Sequence, residues 1–405
     1  MFNLILEGVA LNKNIVIFDL FGTLLNEKHH DWKQGLKYLT NNILKNANYS
    51  DVLQLAKNFE DKNMKNRSIT FKEPKMIDQL KMFKNKYEFN NDETLYDIEY
   101  LFLKHSRKCT LNDDVLDLLD YLSNYNNSLY VMSNTIYSSL SIKRLLKDFN
   151  IEHYFEEIYT SADFGYRKPS KKFFDYVIKE CTDSDYYNTE DIIYIGDSFE
   201  KDVLGATSVG FHTILLSKEI TNNNHIITEK YIKKHSLLAI KQYIIDNFIY
   251  LNALSDDYSV TDGIGNRLVI YFQGCNLHCF GCHNEITWDI TKGKRKHINA
   301  VTVEILKRLN KYSKNITISG GEPLYQEKPL INMLDILNNY DINICLYTGH
   351  EFDTIPQQIK DKVHYIKSGS FNINKKTTTI GFYGSSNQIF WKKGEENVWE
   401  KMNLK

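Results

Sequence analysis

Short, nearly continuous apolar runs recur along the chain, and each one ends on a polar or acidic residue. Asn14-Ile15-Val16-Ile17-Phe18 runs into Asp19, Leu129 to Met132 into Ser133, and Ile192 to Ile195 into Gly196-Asp197. Runs of this length read as strands buried on both faces of a parallel sheet, with polar groups delivered at their carboxyl ends, where open α/β sheets keep their sites. Two further strands are expected at Leu268 to Phe272 and around Ile318. Helical spacing appears instead in Val52-Leu53-Leu55-Ala56-Phe59, in Ile77-Leu80-Phe83 and in Ile240-Tyr243-Ile244-Phe248. The pattern predicts an α/β protein with a doubly wound, Rossmann-like core, a helical insertion over about residues 27–110, and a second, shorter domain of β/α type.

Length agrees with two domains: 405 residues, 42% hydrophobic and 25% charged, with a polar loop at Thr221-Asn222-Asn223-Asn224. The expected division is 1–220, a linker with a helix at 221–249, and 250–405. A formal net charge of -1 without long basic runs argues against nucleic-acid or membrane partners. The start Met1 to Ala10 does not read as a signal segment, so the expected location is cytoplasmic. Six cysteines, three of them scattered (Cys109, Cys181, Cys345), do not form a secreted disulfide framework.

The other three stand together in Cys275-Asn276-Leu277-His278-Cys279-Phe280-Gly281-Cys282. Thiolates spaced C-x3-C-x2-C suit three irons of a [4Fe-4S] cluster and leave the fourth iron open. A zinc site completed by His278 and His283 is the rival reading, although structural zinc commonly uses a second cysteine pair and none lies nearby. About forty residues on comes Ile318-Ser319-Gly320-Gly321-Glu322-Pro323, an apolar strand ending in two glycines and an acid. Together these segments resemble the radical S-adenosylmethionine (SAM) superfamily. The resemblance implies that Cys275, Cys279 and Cys282 ligate the cluster. It places Gly320, Gly321 and Glu322 against SAM, the glycines for close backbone approach and the acid for the amino group, with Ser319 and Thr348 alongside. The implied chemistry is reductive cleavage of SAM to a 5'-deoxyadenosyl radical. Trp288, Phe280 and Tyr347 are read as packing around this site, and His278 and His283 as solvent-facing or outer groups.

Thr261 to Arg267, Gln273-Gly274-Cys275, Cys282 to Trp288, Leu346-Tyr347-Thr348-Gly349 and Gly384-Ser385-Ser386-Asn387-Gln388 narrow the resemblance to the activating proteins of anaerobic ribonucleoside-triphosphate reductases. That family implies a short partial (β/α) barrel and abstraction of hydrogen from a glycine of a partner enzyme. It also implies a flavodoxin- or ferredoxin-type electron donor. Ser368-Gly369-Ser370-Phe371 stands where the family usually has Asp-Gly-x-Phe.

In the first half, Asp19, Ser133, Tyr166-Arg167-Lys168-Pro169-Ser170, and Asp197 with Asp202 resemble, in order and type, the four motifs of the haloacid dehalogenase superfamily. The resemblance implies a Mg2+-dependent phosphoryl site acting on a phosphorylated small molecule. Asp19 is the nucleophile, and Mg2+ sits between Asp19, the Phe21 carbonyl and Asp197. Ser133 and Lys168 hold the phosphoryl oxygens, and Asp202 orients Lys168 or a metal-bound water. Phosphatases of the superfamily usually carry a second Asp two residues after the nucleophile as general acid and base; Phe21 stands there instead. The leading expectation is a glycyl-radical-enzyme activase fused to this domain. One alternative is a bifunctional enzyme that modifies and then dephosphorylates a small molecule or nucleotide, and another is a first domain that only docks the partner.

Overall fold

The computed structural model describes residues 14–64, 67–90, 92–182, 188–217, 231–309, 313–377 and 381–403. The polar loop at 221–224 and the start of the chain lie outside them. Two compact units are formed, Asn12–Lys241 and Gln242–Lys405.

The first unit is built on a sheet of six strands: β1 (Asn14–Phe18), β4 (Asn127–Ser133), β5 (Phe155–Thr160), β6 (Ile193–Gly196), β7 (His212–Leu216) and β8 (Tyr231–Lys234). Their order is β5-β4-β1-β6-β7-β8, and every pairing is parallel. Every residue of β1 and β6 is buried, as strands covered on both faces must be. β2 (Leu25–His30) and β3 (Arg107–Leu111) form a separate antiparallel ribbon. Between them in sequence lie helices at Trp32–Asn42, Tyr49–Met64, Arg67–Thr70, Met76–Lys86 and Leu95–Ser106. The stretch expected as a linker, 221–249, carries more than a helix: Tyr231-Ile232-Lys233-Lys234 is the sixth strand of the first sheet, and the helix Leu237–Asn247 follows it. A short edge strand with two lysines does not stand out as a strand, since edges are kept brief and charged.

The second unit holds an eight-stranded sheet made of β9 (Phe248–Leu254), β10 (Leu268–Phe272), β11 (Lys294–His297), β12 (Asn315–Gly320), β13 (Asn343–Tyr347), β14 (Tyr365–Ser368), β15 (Ile389–Lys393) and β16 (Trp399–Met402). The order is β11-β9-β10-β12-β13-β14-β15-β16. β10, β12, β13 and β14 are parallel, while β9 and β11 on one side and β15 and β16 on the other are antiparallel. The core of this unit takes Ile270 and Phe272, Ile316 and Ile318, Ile344 and Leu346, and Ile366, packed with residues of the helices Ile298–Arg308 and Glu327–Leu337. Alternation along the strands therefore turns Thr317, Ser319, Cys345, Tyr347, Tyr365 and Lys367 to the face away from these helices.

Candidate functional site

The two units carry separate constellations. In the first unit, Asp19 follows β1 directly and its backbone N–H donates to the Ile195 carbonyl at 2.8 Å, so the carboxylate is tied to the end of β6. Lys168 is 1% exposed, and its ammonium lies 2.7 Å from Asp19 Oδ1, 2.7 Å from Asp202 Oδ1, 2.9 Å from Tyr194 Oη and 3.0 Å from the Met132 carbonyl. Burial works against its charge, but Asp19 and Asp202 hold the ammonium above its ordinary range. Asp202 receives a further bond from the Tyr194 hydroxyl at 2.8 Å on Oδ1, and one from the Ser198 N–H at 2.9 Å on Oδ2. Both of its oxygens are thus engaged, and its contact is to Lys168.

Asp19, Asp197 and Asp202 bring ligand oxygens within 4.8 Å of one another. Three carboxylates face one ammonium, and the excess of negative charge is the environment a hard divalent cation takes. Burial pushes the Asp19 carboxyl up to about 7, Asp202 and Asp197 adding to the push and Lys168 opposing it. Asp197 is exposed and its carboxyl faces Asp19, whereas Asp202 is spent on Lys168. The donor set therefore fits Mg2+ through Asp19 and Asp197. Ser133, at the end of β4, is 1% exposed and its hydroxyl has no hydrogen-bond partner among the described residues.

At Phe21 the side chain is an aromatic ring under the Arg107 guanidinium, 4.3 Å from it, and Arg107 is itself paired with Glu27. The position of the usual acid is filled by this stack. Two contributors carried no role in the sequence reading. Asn134 pins Lys168 by accepting from its N–H at 2.7 Å and donating to its carbonyl at 3.0 Å. Tyr194 bonds both Lys168 and Asp202, and the only signal for it is a phenol inside an otherwise aliphatic strand.

In the second unit the three cysteines are half-buried and unpaired, on the loop after β10. The loop is held at its base: Gly274 N–H donates to Thr287 O at 2.7 Å and Cys275 N–H to Trp288 O at 3.0 Å. Gln273 clamps the returning segment through bonds to the carbonyls of Ile286 (2.9 Å) and Asp289 (2.8 Å), and Gln326 bonds the Gln273 carbonyl at 2.8 Å. Asn284 N–H donates to Cys282 Sγ at 3.3 Å. Burial pushes the Cys275 thiol up, while the backbone N–H groups of Leu277 and His278 favour its thiolate. Sulfurs met by backbone donors are the environment of cluster-ligating thiolates, so the donor set fits a [4Fe-4S] group.

Gly320 and Gly321 close on the chain's own backbone. A Cβ at Gly320 would lie 2.3 Å from the Phe272 carbonyl oxygen, and one at Gly321 2.3 Å from that of Gly274. Gly321 N–H donates to Phe272 O and Glu322 N–H to Gly274 O, both at 2.9 Å. The glycine pair, expected to admit a ligand, thus joins β12 to the base of the cysteine loop. Gly321→Ala is expected to displace that base, with a loss of about 1–3 kcal/mol and of cluster occupancy, read by thermal melting and iron per chain.

Glu322 is fully buried and accepts from Leu324 N–H (2.9 Å), Thr348 Oγ1 (2.8 Å) and Gly349 N–H (2.8 Å). Two of these bonds fall on Oε1 and one on Oε2, which leaves a lone pair on Oε2 for a ligand. Thr348 is spent on Glu322, and Ser319 pairs with Tyr271 across the β10–β12 register. Phe280 is 83% exposed, Trp288 lies beside His278 (ring centroids 4.8 Å), and Tyr347 is buried. Gly384 to Gln388 stitches the loop after β14: Gln388 Nε2 bonds Gly369 O (3.0 Å) and Asn387 Nδ2 bonds Ser370 O (2.9 Å). Ser368, in place of the family's Asp, accepts from Trp391 Nε1 at 3.0 Å.

The chain joins a haloacid dehalogenase-like hydrolase domain, matched over residues 16–216, to a 4Fe-4S single cluster domain, matched over 261–391. Through its second half it belongs to the family of anaerobic ribonucleoside-triphosphate reductase-activating proteins. It is 31% identical over 145 residues to the protein of that name from Enterobacteria phage T4, covering 34% of this chain and 91% of the phage protein. It is 34% identical over 101 residues to the pyruvate formate-lyase-activating enzyme of Clostridium pasteurianum, covering 23% of this chain and 41% of that enzyme. A HAD phosphatase from Thermococcus onnurineus is similar in structure, with a TM-score of 0.37 and 18% identity, covering 57% of this chain and 98% of the other. No described helix is long and apolar enough to cross a membrane.

Proposed function

We propose that the second unit installs a glycyl radical on a partner enzyme of the anaerobic ribonucleotide reductase type, drawing electrons from a flavodoxin- or ferredoxin-type donor. The supporting observation is the joining of the half-buried Cys275, Cys279 and Cys282 loop to Gly320–Glu322 at the carboxyl end of β12, together with the similarity to activating proteins of anaerobic ribonucleoside-triphosphate reductase and pyruvate formate-lyase. When bound, a [4Fe-4S] cluster supplies the electron that cleaves SAM. The thiolates of Cys275, Cys279 and Cys282 would hold it. Glu322, aligned by Thr348 and Gly349, offers its remaining lone pair to the amino group of the ligand.

The first unit is proposed to hydrolyse a phosphorylated small molecule with Mg2+ held by Asp19, Asp197 and the Phe21 carbonyl. The cation supplies charge neutralisation at the phosphoryl group. Asp19 attacks phosphorus, Lys168 fixes the carboxylate that attacks, and the unpartnered Ser133 hydroxyl is placed to bond a phosphoryl oxygen. With Phe21 under Arg107, the leaving group departs without a carboxylic acid to protonate it. The complete Asp19, Lys168, Asp202 and Tyr194 network favours catalysis over a docking role.

The test is an electron paramagnetic resonance spectrum of the anaerobically reconstituted chain, reduced and mixed with SAM and an anaerobic ribonucleoside-triphosphate reductase. A glycyl radical doublet on the reductase is expected. Intact cluster and SAM cleavage without that doublet would overturn this choice of recipient and favour a small-molecule substrate.

A further inference from the structure

On the face of the second sheet away from the helices, Lys367 of β14 stands beside Tyr347 of β13 in register, its ammonium 3.6 Å from the centre of the Tyr347 ring. Among the described residues the ammonium has no hydrogen-bond or ion-pair partner. The hydroxyl of Tyr347 is buried and likewise without one. Asp262, whose carboxylate accepts from Ser259 Oγ at 2.6 Å, attracts Lys367 but does not pair with it. Burial pulls the Lys367 ammonium down to about 8, with Cys345 and Asp262 opposing.

An unpaired, partly buried cation next to an unpaired buried phenol is costly to fold around, and chains tolerate such groups where a ligand completes them. A methionine would fill the same space without the charge. The place matters too. Thr348, the next residue on β13, bonds Glu322, and its N–H donates to the Lys367 carbonyl at 2.9 Å. A Cβ on Gly349 would lie 2.4 Å from Leu277 of the cysteine loop. Lys367 therefore sits at the carboxyl ends of parallel strands, one residue from the segment that touches both Glu322 and the cysteine loop.

We propose that Lys367 and the Tyr347 hydroxyl form an anion-binding position that takes a carboxylate or phosphate of the molecule bound beside the cysteine loop. The assignment rests on the radical SAM reading of this unit. Two sources share the chemistry: the carboxylate of SAM, and an anionic group of the substrate.

The experiment measures equilibrium binding of SAM, and of inorganic phosphate with SAM present, to the anaerobically reconstituted full chain and to Lys367→Met, Lys367→Arg and Tyr347→Phe variants. Iron content and cluster absorption are recorded for each. Lys367→Met is expected to weaken one of the two ligands about tenfold or more, with Lys367→Arg retaining most of the affinity, because a charge-assisted bond to an anion is lost in the first and kept in the second. Weakened SAM binding identifies the SAM carboxylate as the source, and weakened phosphate binding identifies the substrate. Should Lys367→Met lose its cluster, Tyr347→Phe decides, since it removes one oxygen and keeps the ring. Variants that bind both ligands as the parent does would overturn the anion position alone. A parent chain that assembles no cluster would instead overturn the reading beneath it.

Discussion

Cys279→Ala is expected to reduce SAM cleavage to background and to cut the iron retained after anaerobic reconstitution, while the melting temperature of the chain without iron stays close to the parent's. The three thiols sit on a loop fixed at its base by Gly274, Cys275 and Gln273, and they lie outside the hydrophobic core. Removing one therefore takes away a ligand without opening a cavity, and a half-buried loop substitution of this kind stays within about 0.5 kcal/mol. Cluster retention depends on all three because the loop carries no further cysteine and Cys345, the remaining cysteine of this unit, is fully buried in β13. Cys345→Ala is the matched control and should keep its iron. Undiminished SAM cleavage in Cys279→Ala would refute the three-cysteine assignment, and undiminished iron with lost cleavage would point to a fourth ligand.

The cluster loop was legible because its chemistry is local in sequence, three thiols within eight residues. The strands that present both sites were legible for a related reason: Ile15 to Phe18, Ile193 to Ile195 and Leu268 to Val269 are buried on both sides, so their hydrophobicity is continuous. The ribbon of β2 and β3 was not. Leu-Asn-Glu-Lys-His-His is exposed over most of its length and has the composition of a loop. β8 escaped notice on the same grounds.

Within the sites, residue type was readable and partnership was not. Lys168 was expected to hold phosphoryl oxygens, yet three of its four neighbours are fixed by the fold in Asp202, Tyr194 and the Met132 carbonyl. Those contacts depend on the parallel register that sets β1 between β4 and β6, which no local pattern encodes. The glycines before Glu322 were expected to let the backbone approach a ligand; in the fold the group that lies against them is the backbone of Phe272 and Gly274, more than forty residues earlier. A sequence motif states that backbone must come near; only topology states whose.

Asp19→Asn is expected to lower phosphate release by on the order of 10^4-fold or more, since it removes the attacking oxygen, while the melting temperature measured without divalent cations stays level or rises. The second half of that expectation separates a reacting group from a scaffold. Asp19, Asp197 and Asp202 crowd one ammonium, and burial with this crowding already pushes the Asp19 carboxyl up to about 7, so a neutral amide relieves a charge the fold holds poorly. Asparagine keeps an oxygen for the Lys168 ammonium, and Asp202 continues to neutralise it. Lys168→Met is the contrast: it strands Asp19 and Asp202 in a buried site and should cost about 3–5 kcal/mol along with activity. Loss of release in both variants, with stability lost only in Lys168→Met, is the pattern a nucleophile and its positioning cation produce. Release that survives Asp19→Asn would exclude Asp19 as nucleophile. A parent chain that releases no phosphate from nucleotides or sugar phosphates with Mg2+ present would return the first unit to a docking role, since the network would then be only a buried ion pair, and such pairs are weak arguments for stability on their own.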